Sequence, residues 1–269
     1  MSVLLQISDT HFGTEQTNVV EALVALALQQ QPDIVVLSGD ITQRAQPQQF
    51  RQARNFVDRL KAPVVAIPGN HDIPLLNVAA RLLRPYAQYA LAFGNDLEPV
   101  FASSDLLVVC VNTTRAYRHQ HGQVSQAQID RVAQLLSTAT QEQLRVVVVH
   151  QPIAVMHAQD TVDQLRNHTA AQRQWAAAGA DLVMGGHIHL PYTLALSDLV
   201  RPMWAVQAGT GVSTRVRPGV PNSVNLVRWG RAQAAGLCHI EQWDFDSVSD
   251  AFACVKVTQV APARTGHAA

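Results

Sequence analysis

Short apolar runs alternate with helix-periodic stretches through the first half of the chain. The runs are Val3 to Ile7, Ile34 to Leu37 and Val64 to Ile67, and between them lie Val19 to Gln31 and Pro47 to Leu60. In the first stretch Val20, Leu23, Val24, Ala27 and Leu28 recur at helical spacing, as do Phe50, Ala53, Val57 and Leu60 in the second. Each stretch predicts a helix with one buried stripe, so the order is β-α-β-α-β. The strand runs are nearly continuous rather than alternating, as expected when both faces of a sheet are covered.

Farther along, Leu75 to Leu83 predicts a helix, and Val100 to Ser103 with Leu106 to Asn112 flank Ser104-Asp105 as a hairpin-like pair. Ser125 is a suitable N-cap for a helix to about Ser137, with Ile129, Val132, Leu135 and Leu136 on its apolar face. Leu144 to Val149 and Asp181 to Met184 read as buried strands around a helix from about Ala170 to Ala178. From Tyr192 the pattern changes to strands separated by Pro, Gly and Asn turns, namely Thr193 to Leu196, Met203 to Gln207, Val224 to Trp229, Cys238 to Phe245 and Ala253 to Val257. No internal repeat or linker divides residues 1–257, which predicts one domain, and the Ala-rich residues 258–269 predict a flexible tail. Two stacked mixed sheets with helices outside, an α/β sandwich, accommodate both halves.

Composition narrows the class. With 269 residues and 48% hydrophobic content there is material for a large core, and no apolar stretch approaches the roughly 18 residues of a membrane span. The opening run is too short for a signal peptide and lacks basic flanking residues, so a cytoplasmic location is expected. Cys110, Cys238 and Cys254 lie in strand-like runs without C-x-x-C spacing, which predicts reduced core thiols rather than a disulfide framework or zinc knuckle. Formal net charge is +0, Lys61 and Lys256 are the only lysines, and no basic tract exists. Nucleic acid is therefore a disfavoured partner, and a small-molecule substrate is expected. Oligomeric state stays open, with a homo-oligomer among the possibilities.

The strong polar clusters each follow an apolar strand directly: Ser8-Asp9-Thr10-His11, Ser38-Gly39-Asp40, Pro68-Gly69-Asn70-His71-Asp72, His150-Gln151-Pro152 and Gly185-Gly186-His187-Ile188-His189. In α/β folds the carboxyl ends of neighbouring strands converge on one edge, so five segments can meet there. Carboxylate, imidazole and amide oxygen together suit divalent ions such as manganese, iron, zinc or cobalt, with no thiolate needed. Asp9-x-His11 and His187-x-His189 place alternate side chains on one side of an extended segment. Gly39, Gly69, Gly185 and Gly186 suit turns that bring backbone close to an ion. A lone D-x-H or H-x-H is more often a surface feature, and G-N-H-D alone is a turn. Five such blocks in order would leave a purely structural account with several ionisable groups buried and unpaired, which is costly.

These blocks, spanning roughly Ile7 to His189, resemble those of the calcineurin-like metallophosphoesterases: D-x-H, G-D, G-N-H-D, an isolated His after a strand, and G-H-x-H. More finely, Ile7 to Phe12, the stretch from Ser38 to Phe50 and the Ala208-Gly209-Thr210 turn resemble small bacterial phosphodiesterases of the class III cyclic-nucleotide and glycerophosphodiester type. The resemblance implies a four-layer α-β-β-α sandwich. It also implies that Asp9, His11 and His189 bind one divalent metal ion, that Asp40 bridges, and that Asn70, His150 and His187 complete a second. His71 would be the catalytic histidine outside the ligand set, with Asp72 able to orient its imidazole.

Such a centre can hold a bridging hydroxide and clamp an in-line displacement at phosphorus, which makes a phosphodiesterase the expected activity. A phosphomonoesterase, a nuclease or a hydrolase of lipid-linked pyrophosphate would use the same core, and a metal-free binding module or a degenerate scaffold is the non-enzyme alternative. Arg115 and Arg215, each after a strand-end turn, are candidates for phosphate contact or for plain surface roles. His119, His121, His157 and His168 fall in expected loops, where solvated histidines are the commoner case. His157 and His168 lie between two of the blocks and are the candidates for substrate contact.

Overall fold

Side-chain alternation divides each central strand between two interfaces. In the computed structural model, which describes residues 1–118, 120–230 and 236–264, strand β1 (Ser2–Ile7) turns Leu4 toward a second sheet and Val3, Leu5 and Ile7 toward helices. The same division in β2 (Ile34–Ser38) and β3 (Val64–Ile67) explains their unbroken apolar runs. Helices α1 (Thr17–Gln30) and α2 (Pro47–Arg59) cover the outer face, with Pro47 in the first turn of α2, where no donor is lost. Val19 and Leu26 are buried on α1, whereas Leu28, expected on its apolar face, is 50% exposed.

After α3 (Val78–Leu83) and α4 (Ala87–Phe93) come β4 (Val100–Ala102) and β5 (Leu106–Cys110), which pair antiparallel. α3 starts three residues later than its apolar pattern predicts because the Asn77 side chain accepts from Ala80 N at 2.9 Å and caps the helix there. α4 was not expected from the pattern. It is anchored by buried Tyr89, whose hydroxyl donates to Ala66 O at 2.7 Å, across the chain on β3. α5 (Gln126–Ser137) begins at the expected cap, with Ser125 Oγ and Gln128 Oε1 accepting from each other's backbone N–H.

The second sheet adds β6 (Leu144–Val148), β7 (Leu182–Gly185), β8 (Tyr192–Ala195) and β9 (Trp204–Gln207) to β4 and β5, with α5 and α6 (His168–Ala178) on its outer face. β10 (Ser223–Trp229), β11 (Cys238–Asp246) and β12 (Ala251–Val260) extend the first sheet. The orders are β12-β11-β10-β1-β2-β3 and β4-β5-β6-β7-β9-β8, both mixed. The layers are thus α-β-β-α. The inter-sheet core runs from Leu4, Val36 and Ile67 to Val108, Val146 and Met184, each side chain contributing roughly 1.5–3 kcal/mol by burial.

Two expectations need correction. Cys110 and Cys238 are core thiols, but Cys254 is exposed, because β12 is an edge strand and Cys254 sits on its solvent side. The chain also stays ordered past Val257. β12 pairs with β11 through Val260, and the Arg264 guanidinium meets buried Asp181 at 2.9 and 3.1 Å. Residues 265–269, the rest of the expected tail, lie outside the described residues.

Candidate metal centre

The parallel strands β1, β2, β3, β6 and β7 end on one edge, and each is followed by one of the five polar blocks. All seven candidate ligands meet there. Asp9, His11 and His189 offer donor atoms within 4.8 Å of one another, and Asp40, His150 and His187 form a second such group. Asn70 Oδ1 lies 3.3 Å from His150 Nε2, beside the second group. Asp40 stands between the two, with Oδ1 3.3 Å from His150 Nε2 and Oδ2 3.9 Å from His11 Nε2. His71 also comes close: its ring packs edge-on against His11 with centroids 4.9 Å apart, and it forms a third group with His11 and Asp40.

The backbone here is strained. Asp9 (φ 53°), His11 (φ 42°), Asp40 (φ 48°), His187 (φ 73°) and His189 (φ 57°) all occupy the left-handed region, at about 1–2 kcal/mol for each residue that carries a Cβ. Hydrogen bonds hold them there. Asp9 N donates to Gly39 O at 3.1 Å, His11 N to Asp40 O at 3.0 Å, His71 N to Asp40 Oδ1 at 2.8 Å and His187 N to Asp9 Oδ2 at 2.9 Å. Glycine is required at 186, where a Cβ would sit inside the Ser8 hydroxyl and the Asp9 carboxylate, and at 69, where it would strike Asp40 N.

Ring orientations are set from outside the cluster. His150 Nδ1 donates to Ser38 O at 2.8 Å and His189 Nδ1 to Arg215 O, so both Nε2 atoms face inward. His189 Nε2 ends 3.3 Å from His11 Nε2 and 3.3 Å from Asp9 Oδ1. Two imidazole nitrogens and a carboxylate oxygen facing one another at these distances suit a shared cation. Asp9 Oδ1 and His187 Nδ1 are buried without hydrogen bonds, a cost that coordination removes. The residues therefore fit divalent ions.

Electrostatics point the same way. Burial pushes the His11 imidazole down to about 3, leaving it neutral and ready to coordinate. Burial would raise Asp9, but His189 and His150 more than offset it and leave the carboxyl at about 2. Asp40 is likewise held well below the ordinary range, with burial opposed by His150, His71 and His11. Burial also opposes the charge on His150, yet Asp40 and Asp9 carry it up to about 9. Without metal, histidine protons balance the clustered carboxylates.

The structure corrects the role expected of Asp72. Its carboxylate is buried and accepts from Ile41 N (3.0 Å), Thr42 N (2.7 Å), Thr42 Oγ1 (2.8 Å) and Gly69 N (2.9 Å). It therefore ties the G-D loop to the G-N-H-D loop, and the His71 ring is oriented instead by Gln43, whose carbonyl accepts from Nδ1 at 3.0 Å. The Arg115 guanidinium donates to Asn112 O, Thr114 O and Gln128 Oε1. His168 Nδ1 bonds Leu165 O at the start of α6, His121 Nδ1 bonds Val162 O, and His157 occupies the N-cap position of the short 3-10 segment Ala158–Asp163 without a side-chain cap bond. His119 lies outside the described residues. Arg215, by contrast, lines a cleft of about 330 Å³ with Asp160, Asp163, His187, Ile188, His189 and Arg217.

Several supporting residues carry no motif. Gln6 Nε2 donates to Gly185 O at 2.9 Å, Asn225 Nδ2 to Gln6 Oε1 at 3.0 Å and to Gln207 O at 3.1 Å, and Gln207 Nε2 to Gly186 O. These buried amides form a floor beneath the G-H-I-H loop. The available signal was a polar residue interrupting an apolar strand run, as in Leu4-Leu5-Gln6-Ile7. Asp163, with Oδ1 3.5 Å from His187 Nε2, had no such signal.

Known proteins resemble this chain in sequence and fold. The chain is 25% identical over 251 residues to a cAMP/cGMP dual specificity phosphodiesterase of Mycobacterium tuberculosis, covering 84% of this chain and 75% of that one. It is 36% identical over 83 residues to a glycerophosphodiester phosphodiesterase of Enterobacter lignolyticus, a span of 26% of this chain and 29% of the relative. In fold it superposes on a purple acid phosphatase from yellow lupin with a TM-score of 0.74 at 12% identity, over 97% of this chain and 53% of that one. The calcineurin-like phosphoesterase profile matches residues 2–191, and the chain belongs to that family of metal-dependent phosphoester hydrolases.

Proposed function

We propose that this protein is a phosphodiesterase acting on a small phosphodiester of the cyclic-nucleotide or glycerophosphodiester type. Its two divalent ions, manganese, iron or zinc, are held by Asp9, His11, Asp40, Asn70, His150, His187 and His189. The observation that carries the reading is the pair of carboxylate–histidine groups with the Asp40 carboxylate between them. The donors are nitrogen and oxygen only, which suits these metals. The phosphodiesterase relatives and a cleft of about 330 Å³ favour a small substrate over a polymer. Cys110 and Cys238, both buried and unpaired, accord with a reducing, cytoplasmic setting.

When bound, the ions supply Lewis-acid polarisation of the phosphoryl oxygens and activation of water. The chain does the rest. Asp40 spaces the two ligand groups, and the outer hydrogen bonds of His150 and His189 aim their Nε2 atoms inward. The His71 ring, fixed by Gln43 O, stands beside the cluster without belonging to the ligand set and assists the departing oxygen. A panel of cyclic nucleotides, glycerophosphodiesters, aryl mono- and diesters, nucleic acids and sugar-nucleotide lipids, assayed with manganese, tests the reading. Turnover of a small diester above all others is expected, and preferential turnover of monoesters or nucleic acid overturns it.

A further inference from the structure

The Arg215 guanidinium rests on the His71 ring. Its Nη1 lies 3.1 Å from His71 Nε2, 3.4 Å from Nδ1 and 3.1 Å from Gln43 Oε1. Because Nδ1 faces the Gln43 carbonyl at 3.0 Å, Nδ1 carries an N–H, and the guanidinium lies against the ring between Nδ1 and Nε2 rather than along the Nε2 lone pair. Arg215 is fixed from behind, its carbonyl accepting from His189 Nδ1 and from Thr210 Oγ1 at 2.8 Å. One residue thus steadies a candidate ligand with its backbone and covers His71 with its side chain.

The cleft's charges single it out. Arg217 is paired with Asp160 at 3.1 Å, and Asp163 faces His187 at 3.5 Å. Among the described residues Arg215 has no carboxylate partner, so its charge is free for an incoming anion. It also lies beyond the stretch, residues 2–191, that the family profile matches.

We propose that Arg215 binds the substrate's phosphoryl group and that this binding uncovers His71. Without substrate the guanidinium covers the His71 ring. A phosphodiester entering the cleft draws the guanidinium N–H groups to a nonbridging oxygen, for which guanidinium geometry is suited, and leaves Nε2 facing the reacting group. No bond is made or broken in this exchange, only hydrogen bonds change partner. The proposal rests on the phosphodiesterase reading, but its ligand chemistry, a phosphoryl oxyanion, can be tested without turnover.

The experiment compares wild type, Arg215→Ala, Arg215→Lys and His71→Ala, all metal-loaded with equal metal content. Orthophosphate affinity is measured by calorimetry, and KM and kcat are measured on bis-p-nitrophenyl phosphate. Arg215→Ala is expected to weaken orthophosphate and raise KM by about 10- to 100-fold, the range for losing a charge-assisted hydrogen bond, and Arg215→Lys to recover part of both. His71→Ala removes the guanidinium's resting partner and should leave orthophosphate affinity equal or tighter. Orthophosphate affinity within twofold of wild type in Arg215→Ala overturns the proposal, as does weaker binding in His71→Ala matching that of Arg215→Ala. If wild type turns over no diester, the functional reading fails while calorimetry still decides Arg215.

Discussion

The Asp9 carboxylate accepts the His187 backbone N–H through Oδ2 at 2.9 Å and leaves Oδ1 buried with no hydrogen bond. One oxygen ties the first polar block to the last, and the other is available to coordinate. Asp9 therefore braces the two blocks while keeping one oxygen for the coordination proposed above, whereas Asp40 lies between the two groups. Asp40→Ala is expected to abolish both metal occupancies and turnover, while Asp9→Asn, which keeps an acceptor for His187 N, should lose one ion preferentially. Elemental analysis after purification without chelator checks this, and two tightly held ions in Asp40→Ala would refute the bridging assignment.

Metal-free protein should show a definite pH profile. His150 is raised to about 9 and His189 is raised as well, so their stabilisation is fully present below the unfolded histidine value of about 6.5, and that of His150 is lost as pH climbs through about 9. Asp9, depressed to about 2, contributes above about pH 4 and loses that contribution as pH falls through about 2. Between roughly pH 4 and 6, His11 at about 3 and Asp72 at about 6 act in opposite directions and largely cancel. The expected melting curve is a plateau from about pH 4 to 6.5 with losses on either side. Because metal must displace the His150 proton, metal affinity should rise with pH up to about 9. Thermal melts of chelated and loaded protein across this range are the check, and chelated protein gaining stability from pH 7 to 9 contradicts it.

His71→Ala should lose about 10²–10⁴-fold on an alkyl or cyclic diester, the usual scale of general acid assistance. It should lose much less on bis-p-nitrophenyl phosphate, whose leaving group departs without a proton. Metal content should hold. Equal losses on both substrates would show that His71 stabilises the phosphoryl oxygens instead, and loss of metal would place it among the ligands, as its closeness to His11 and Asp40 permits.

The buried amide floor should matter for stability and for the ligand loop alike. Gln6→Leu removes one hydrogen bond each from Gly185 O and Asn225 Nδ2, which keep Ala208 N and Gln207 O as partners, at about 0.5–1.5 kcal/mol for each bond lost. At roughly 2–4 °C per kcal/mol for a chain of this size, the melting temperature should fall by several degrees and metal should bind more weakly. An unchanged melt with unchanged affinity would show that the floor does not support the site.

How much was legible depended on whether the determining interaction was local. Strand and helix identities follow from periodicity, and the five blocks could be placed on one edge because each directly follows an apolar strand. Ser125 capping α5 is equally local, its partner Gln128 lying three residues away. Where the partner is distant, sequence was silent or misleading. Asp72 is next to His71 in the chain, yet four donors, three of them from Ile41 and Thr42, draw its carboxylate away, and Gln43 takes its place. Arg215 reaches His71 across 144 positions, and Asn225 reaches Gln6 across 219. α4 exists because Tyr89 finds Ala66 O, and Cys254 is exposed because β12 is an edge strand among the described residues. Residue type states which groups must be satisfied when buried, but which partner satisfies them is decided only when packing brings distant segments within hydrogen-bond range.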